Sequence, residues 1–187
     1  MPLGRLWGRW PGGAARRRRE RAVLLYERIR ARSRDPQLYL RLGVPDTLDG
    51  RFEALILHMV PLTVRLRDGG EQARAFSQEL FDVFLHDMDA GLREAGVGDI
   101  SVPKRLKKMT RVWYGRLEAL TEARGEGGEA IVKTLTRNLY PEAGPLPDLR
   151  PLAARVDELF AAAEAASPDR LVEGLDPYSQ GALRDAA

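Results

Sequence analysis

Apolar residues recur every three or four positions through most of this chain, and runs rich in Gly and Pro separate the stripes. Within RRRRERAVLLYERIRARSR, Leu24, Leu25, Tyr26 and Ile29 fall near one face and Arg occupies most of the rest. DPQLYLRLGVPDT reads as a connector with one helical turn, and Asp46-Thr47 offers N-cap chemistry for a second helix. Phe52, Leu55, Ile56, Met59, Leu62 and Leu66 carry that helix. Pro61 is expected to kink or split it, because proline has no N–H and crowds the preceding turn. After Asp68-Gly69-Gly70, the residues Ala73, Phe76, Leu80, Val83, Phe84, Met88 and Leu92 predict a long helix that stops at Gly96. Pro103 suits a first helical position, and Leu106, Met109, Trp113, Leu117 and Leu120 form the stripe behind it. GEGG at 125–128 breaks that helix. EAIVKTLTRNLY, LRPLAARVDELFAAAEAAS and a short Ser-Pro-initiated segment complete the pattern.

Runs of alternating Val, Ile and Thr bounded by turns are missing, and so is any repeat of solenoid length. The expected fold is therefore all-α, a single compact domain of six or seven helices. Residues 1–34 are read as a basic, Arg-rich, partly helical arm, 35–176 as the helical domain and 177–187 as a flexible tail. No apolar run approaches the ~20 residues that span a bilayer, and no secretory signal pattern is found. The expectation is a cytoplasmic chain that can rest peripherally on an inner membrane.

Charge changes this picture in one respect. The net charge is +3, yet residues 1–34 carry a balance of +9 and the rest −6. A basic segment of this kind points to phospholipid, nucleic acid or another anionic surface. Its helix could instead pack on the domain. Cysteine is absent, which removes disulfides, thiolate metal sites and a thiol nucleophile. No nucleophile elbow, phosphate-binding loop or dinucleotide-binding turn is found. His86 with Asp89 or Asp82 has helical spacing that a metal would accept, with His58 as a second His from another helix, but a helical His is more often a packing residue. The expectations are no enzyme, no cofactor and no metal.

The segment SVPKRLKKMTRVWYGR, residues 101–116, has six cations and no acid. If its apolar stripe faces inward, Lys104, Arg105, Lys107, Lys108 and Arg111 fan across the outside. Cations at a helix N-terminus oppose the helix dipole, so helix stability alone would not select them. This marks a binding surface, with Tyr114 as an amphipathic contact and Gly115 allowing close approach. The bland alternative is a solvated face balanced by the acids of HDMDAGLRE, with Trp113 in the core. The mildly acidic body and the lack of a recognition helix argue against DNA.

FEALILHMVPLTVRLRDG followed by SQELFDVFLHDMDAGLREAGVGDISVPKRLKKMTRVWYGRLEAL resembles the ubiquinol–cytochrome c chaperone family over residues 52–120. The resemblance rests on His58 in an apolar helix, on Asp87, Asp89, Arg93, Glu94 and Gly96, and on Pro103, Lys104, Lys107, Trp113, Tyr114 and Gly115. It implies a non-enzymatic assembly factor that binds newly made cytochrome b, and the Arg/Ala/Gly-rich composition without a clear transit cleavage pattern points to a bacterial member of the family. It also implies a protein client, with an anionic membrane surface or a ribosome as further contacts. A helical module that binds RNA or the ribosome through the arm and basic helix is the alternative. None of these residues has a catalytic role in the resemblance.

Overall fold

The computed structural model describes residues 13–142 and 144–179, and among these it is entirely helical. Among the described residues there are six long helices and two of five residues: α1 (Gly13–Arg32), α2 (Pro36–Leu40), α3 (Leu48–Arg67), α4 (Glu71–Glu94), α5 (Val102–Glu126), α6 (Gly128–Leu139), α7 (Arg150–Ala165) and α8 (Pro168–Val172). A 3-10 turn, Pro177–Ser179, ends the described chain.

The caps follow from side-chain chemistry. The Asp35 side chain accepts the Gln37 N–H, Thr47 accepts Gly50 and Ser167 accepts Arg170, each satisfying a donor the helix leaves unpaired. Helix α4 ends in a Schellman arrangement. Gly96, at φ +79°, donates to the Arg93 carbonyl, and Val97 donates to that of Leu92. Gly50 is required for a different reason. A Cβ there would lie 2.0 Å from the Pro45 carbonyl oxygen, so only glycine lets the preceding loop cross the first turn of α3.

Helix α3 is the axis of the molecule. It is buried from Glu53 to Thr63 without interruption and touches α1, α4, α5, α6, α7 and α8. An apolar stripe alone would not predict burial on all sides. Pro61 does not split it, contrary to the sequence expectation; the helix runs through to Arg67. The residue is itself buried, and packing on every side holds the turn that proline would otherwise open. Two side chains reach carbonyls just before it. The Tyr178 hydroxyl donates to the His58 carbonyl at 2.9 Å, and Thr63 Oγ1 donates to that of Met59 at 3.0 Å.

Helix α1 packs along α4 with Ala22, Leu25, Tyr26 and Ile29 in the common core. Leu24 departs from the expected stripe and is 57% exposed, because its position falls on the opposite side of the helix from those four. The arginines of α1 meet acids of the body. Arg19 reaches Glu79 at 2.8 Å, Arg30 reaches Asp87 at 2.8 Å and Arg32 reaches Asp176 at 2.7 Å. Much of the charge asymmetry is therefore closed within the chain. Tyr178, within the stretch expected to be a flexible tail, is 2% exposed and anchored on α3. Residues 1–12 of the arm and 180–187 of the tail lie outside the described residues.

Candidate docking site

Between Val102 and Trp113 no residue of helix α5 is fully buried, and its regular buried stripe starts at Trp113 and runs through Leu117, Leu120 and Ala123. There Phe81 and Phe84 of α4 stand with ring centroids 5.5 Å from the indole, and the ring is 2% exposed. Leu106 and Met109 were expected inside but are half-buried, although Val102 before them is fully buried. The first three turns of α5 therefore present more surface than the stripe predicts.

Of the six cations in residues 101–116, one turns inward. Arg116 pairs with Glu53 of α3, its Nε–H shared between Oε1 at 2.9 Å and Oε2 at 3.1 Å. Burial pushes the Glu53 carboxyl up, and Arg116 pulls it part of the way back. The other five, Lys104, Arg105, Lys107, Lys108 and Arg111, are all exposed and make no ion pair or side-chain hydrogen bond with any described residue. Two of the three acids of HDMDAGLRE that could have balanced them are engaged elsewhere. Asp87 accepts from the Tyr26 hydroxyl at 2.7 Å and from Arg30 at 2.8 Å. Asp89 accepts from Arg93 at 2.7 Å, and Arg93 also bonds Asp99 across the α4–α5 turn. Arg93 holds the Asp89 carboxyl below the usual carboxylate range.

Beside the cationic turns runs an open groove. One part, about 400 Å³, is lined by Arg67, Tyr114, Leu117, Glu118, Thr121 and Glu122. A second, about 200 Å³, lies between α3, α4 and α5 and includes Arg74, Phe81, Trp113 and Tyr114. Tyr114 is 49% exposed, with its ring 5.8 Å from that of Phe81. Gly115 has nothing within 4 Å of where a Cβ would stand, so no described helix uses the close approach it permits.

The structure brings Lys104, Lys107, Lys108, Arg111, Tyr114 and Gly115 onto adjoining surfaces of one helix and puts Arg105 toward its flank. The other motif residues serve mainly to build the α4–α5 hairpin. Asp87 ties it to α1, Asp89 and Arg93 close its turn, Gly96 ends α4, Pro103 stands second in the first turn of α5 and Trp113 packs the two helices together. Glu94 is exposed. His58 is 3% exposed inside α3, with Nδ1 2.8 Å from the Ala54 carbonyl, and burial lowers its pKa to about 4. Among the described residues no group of three His, Cys, Asp or Glu could hold a metal ion. Sequence reasoning missed Arg67, Phe81 and Leu117 as groove walls, because they come from three helices. It also missed Glu118 and Glu122, although their spacing from Arg111 puts them on the same helical row.

The all-helical scaffold thus carries a groove with an aromatic wall beside a cationic surface that has no partner among the described residues. The comparisons name its class. The ubiquinol–cytochrome c chaperone model matches residues 40–175, and the chain belongs to that family. It is similar to the crystal structure of the Cbp3 homolog from Brucella abortus, with 33% identity and a TM-score of 0.77 over 89% of this chain and 94% of that one. No match was found among curated proteins. Among the described residues no helix is long and apolar enough to cross a membrane.

Proposed function

We propose that the protein is a non-enzymatic assembly factor that binds newly made cytochrome b during biogenesis of the ubiquinol–cytochrome c reductase complex. The observation that carries this reading beyond family membership is the set of five exposed, unpaired cations next to the groove at Phe81, Trp113, Tyr114 and Leu117. A nascent membrane protein offers apolar segments flanked by polar loops. The groove accepts aromatic and aliphatic side chains, and the cations steer acidic loops or an anionic bilayer toward it. Ile100, 97% exposed in the turn before Lys104, suits shallow contact with such a bilayer.

The test is genetic and spectroscopic. Deleting the gene in its host should lower membrane b-type heme in reduced-minus-oxidised spectra and lower bc-complex activity. The intact gene should restore both. A version with Lys104, Arg105, Lys107 and Lys108 replaced by Glu should fold, since these side chains are exposed and unpaired, and fail to restore them. Normal cytochrome b in the deletion strain would sink the reading. Capture by the charge-reversed protein at physiological salt would remove the cationic surface from it. If RNA were the ligand, affinity would fall linearly in log–log form with salt, whereas apolar capture is far less salt-sensitive.

A further inference from the structure

The row of α5 that faces away from the core changes sign at its middle. Lys104, Lys107 and Arg111 occupy its N-terminal half, and Glu118 and Glu122 continue the same row in its C-terminal half. Tyr114 and Gly115 lie between them. All seven residues are exposed, and none of the five charged ones pairs with another described residue.

This order works against the helix that carries it. Cations toward the N-terminus and acids toward the C-terminus both oppose the dipole. Lys107 and Arg111 are like charges four residues apart, as are Glu118 and Glu122, and such pairs destabilise a helix. The same order fits an antiparallel copy of itself. Place a twofold axis across α5 between Tyr114 and Gly115. Arg111 then faces Glu118 of the second copy, Lys107 faces Glu122, and the symmetry repeats both pairs. Each Tyr114 ring lies over the other copy's Gly115, where nothing stands within 4 Å of an added Cβ. The two helix dipoles also run in opposite directions.

We infer that the protein forms a reversible twofold dimer through the outer face of α5. A partner that was only acidic would answer Lys107 and Arg111 and leave Glu118 and Glu122 facing like charge. A second copy answers both halves and supplies a large residue for the one small position. The ion pairs lie at a solvent-exposed seam, so the dimer is weak and sensitive to salt. Its face overlaps the surface proposed for the client, so pairing would shield that surface when no client is held. The order of charges along α5 favours this pairing whether or not a client binds there.

Sedimentation velocity of the full chain, without client, tests it. At low ionic strength the weight-average sedimentation coefficient should rise with concentration toward a dimer, and added salt should lower it. Arg111→Glu turns two attractive pairs into repulsive ones and should weaken association by about tenfold or more. Adding Glu118→Arg to the same chain rebuilds the pairs with reversed sign and should bring the dissociation constant back to within about threefold of the original. Lys107→Glu with Glu122→Lys is a second, independent swap. Circular dichroism checks that each variant remains helical. A chain that stays monomeric at about 100 µM in low salt overturns the inference, far above the concentration at which a specific weak dimer should appear. So does association of Arg111→Glu equal to that of the parent, or failure of both swaps to restore it in folded protein.

Discussion

His58 shows how a motif residue can be structural. Its imidazole is enclosed in α3, and its Nδ1–H donates to the Ala54 carbonyl. Burial is the dominant cause of its low pKa, about 4 against 6.5 for the free side chain, and the hydrogen bond offsets part of that. The folded chain therefore keeps His58 neutral where the unfolded chain would protonate it. Its contribution to stability is complete above the unfolded pKa and is lost as pH falls from about 6.5 toward 4, by roughly 3 kcal/mol over the whole window. The raised pKa of Glu53 acts with the opposite sign, adding stability as pH falls. Comparison with His58→Asn isolates the histidine, since the asparagine amide keeps a donor and does not titrate. In denaturant titrations at pH 7 and pH 5 the parent should lose more stability than the variant. Equal losses would show that His58 is not the group responsible.

At the scale of the element, α5 divides its arginines between two tasks. Arg111 points outward without a partner, and five residues later Arg116 is fixed on Glu53 of α3. That pair is partly enclosed, the two side chains being 25% and 9% exposed, so solvent screens it incompletely. Removing one partner strands a charge. Arg116→Ala should destabilise the fold by about 2–3 kcal/mol at pH 7, because Glu53 remains buried without its counter-charge. The loss should shrink as pH is lowered and Glu53 takes up a proton. Glu53→Gln with Arg116→Gln should cost less than the single Arg116 change, as measured by urea denaturation. If the double variant is the weaker of the two, packing around the guanidinium stem matters more than the ion pair.

The molecule as a whole is tied together by its two ends. Helix α1 contributes four residues to the core and bridges to α4 and to Asp176 through arginines. Near the other end Tyr178 seats its ring edge-on to His58, with centroids 6.1 Å apart, and bonds the His58 carbonyl. Deleting residues 1–32 would uncover the face of α4 that bears Phe76, Leu80 and Val83, and burial of one such side chain is worth roughly 1.5–3 kcal/mol. The truncated chain should lose cooperative thermal unfolding or aggregate. A sharp transition near that of the full chain would instead mark α1 as a separable arm. The whole-molecule charge balance obeys the same logic. A strongly basic first segment need not imply an external anion when the body holds carboxylates at matching height.

The all-α class, the helices and their stops, the Thr47 and Ser167 caps and the Gly96 terminus were legible in the sequence, because periodicity, capping and positive-φ glycine are local properties. The outward direction of the five cations of α5 was legible too, since a stripe of apolar residues orients everything else on a helix. What the sequence could not decide was which neighbour answers each side chain. Arg116 looks like its basic neighbours until Glu53 is placed beside it, and Asp87 looks free to balance α5 until Tyr26 and Arg30 claim it. Burial of α3 on all sides, the survival of Pro61 within it, the docking of α1 and the anchoring of Tyr178 are contacts between residues far apart in the chain. Local rules set the shape of each element. Packing alone set which charges were neutralised and which were left exposed, and that selection is what makes the outer face of α5 the candidate site.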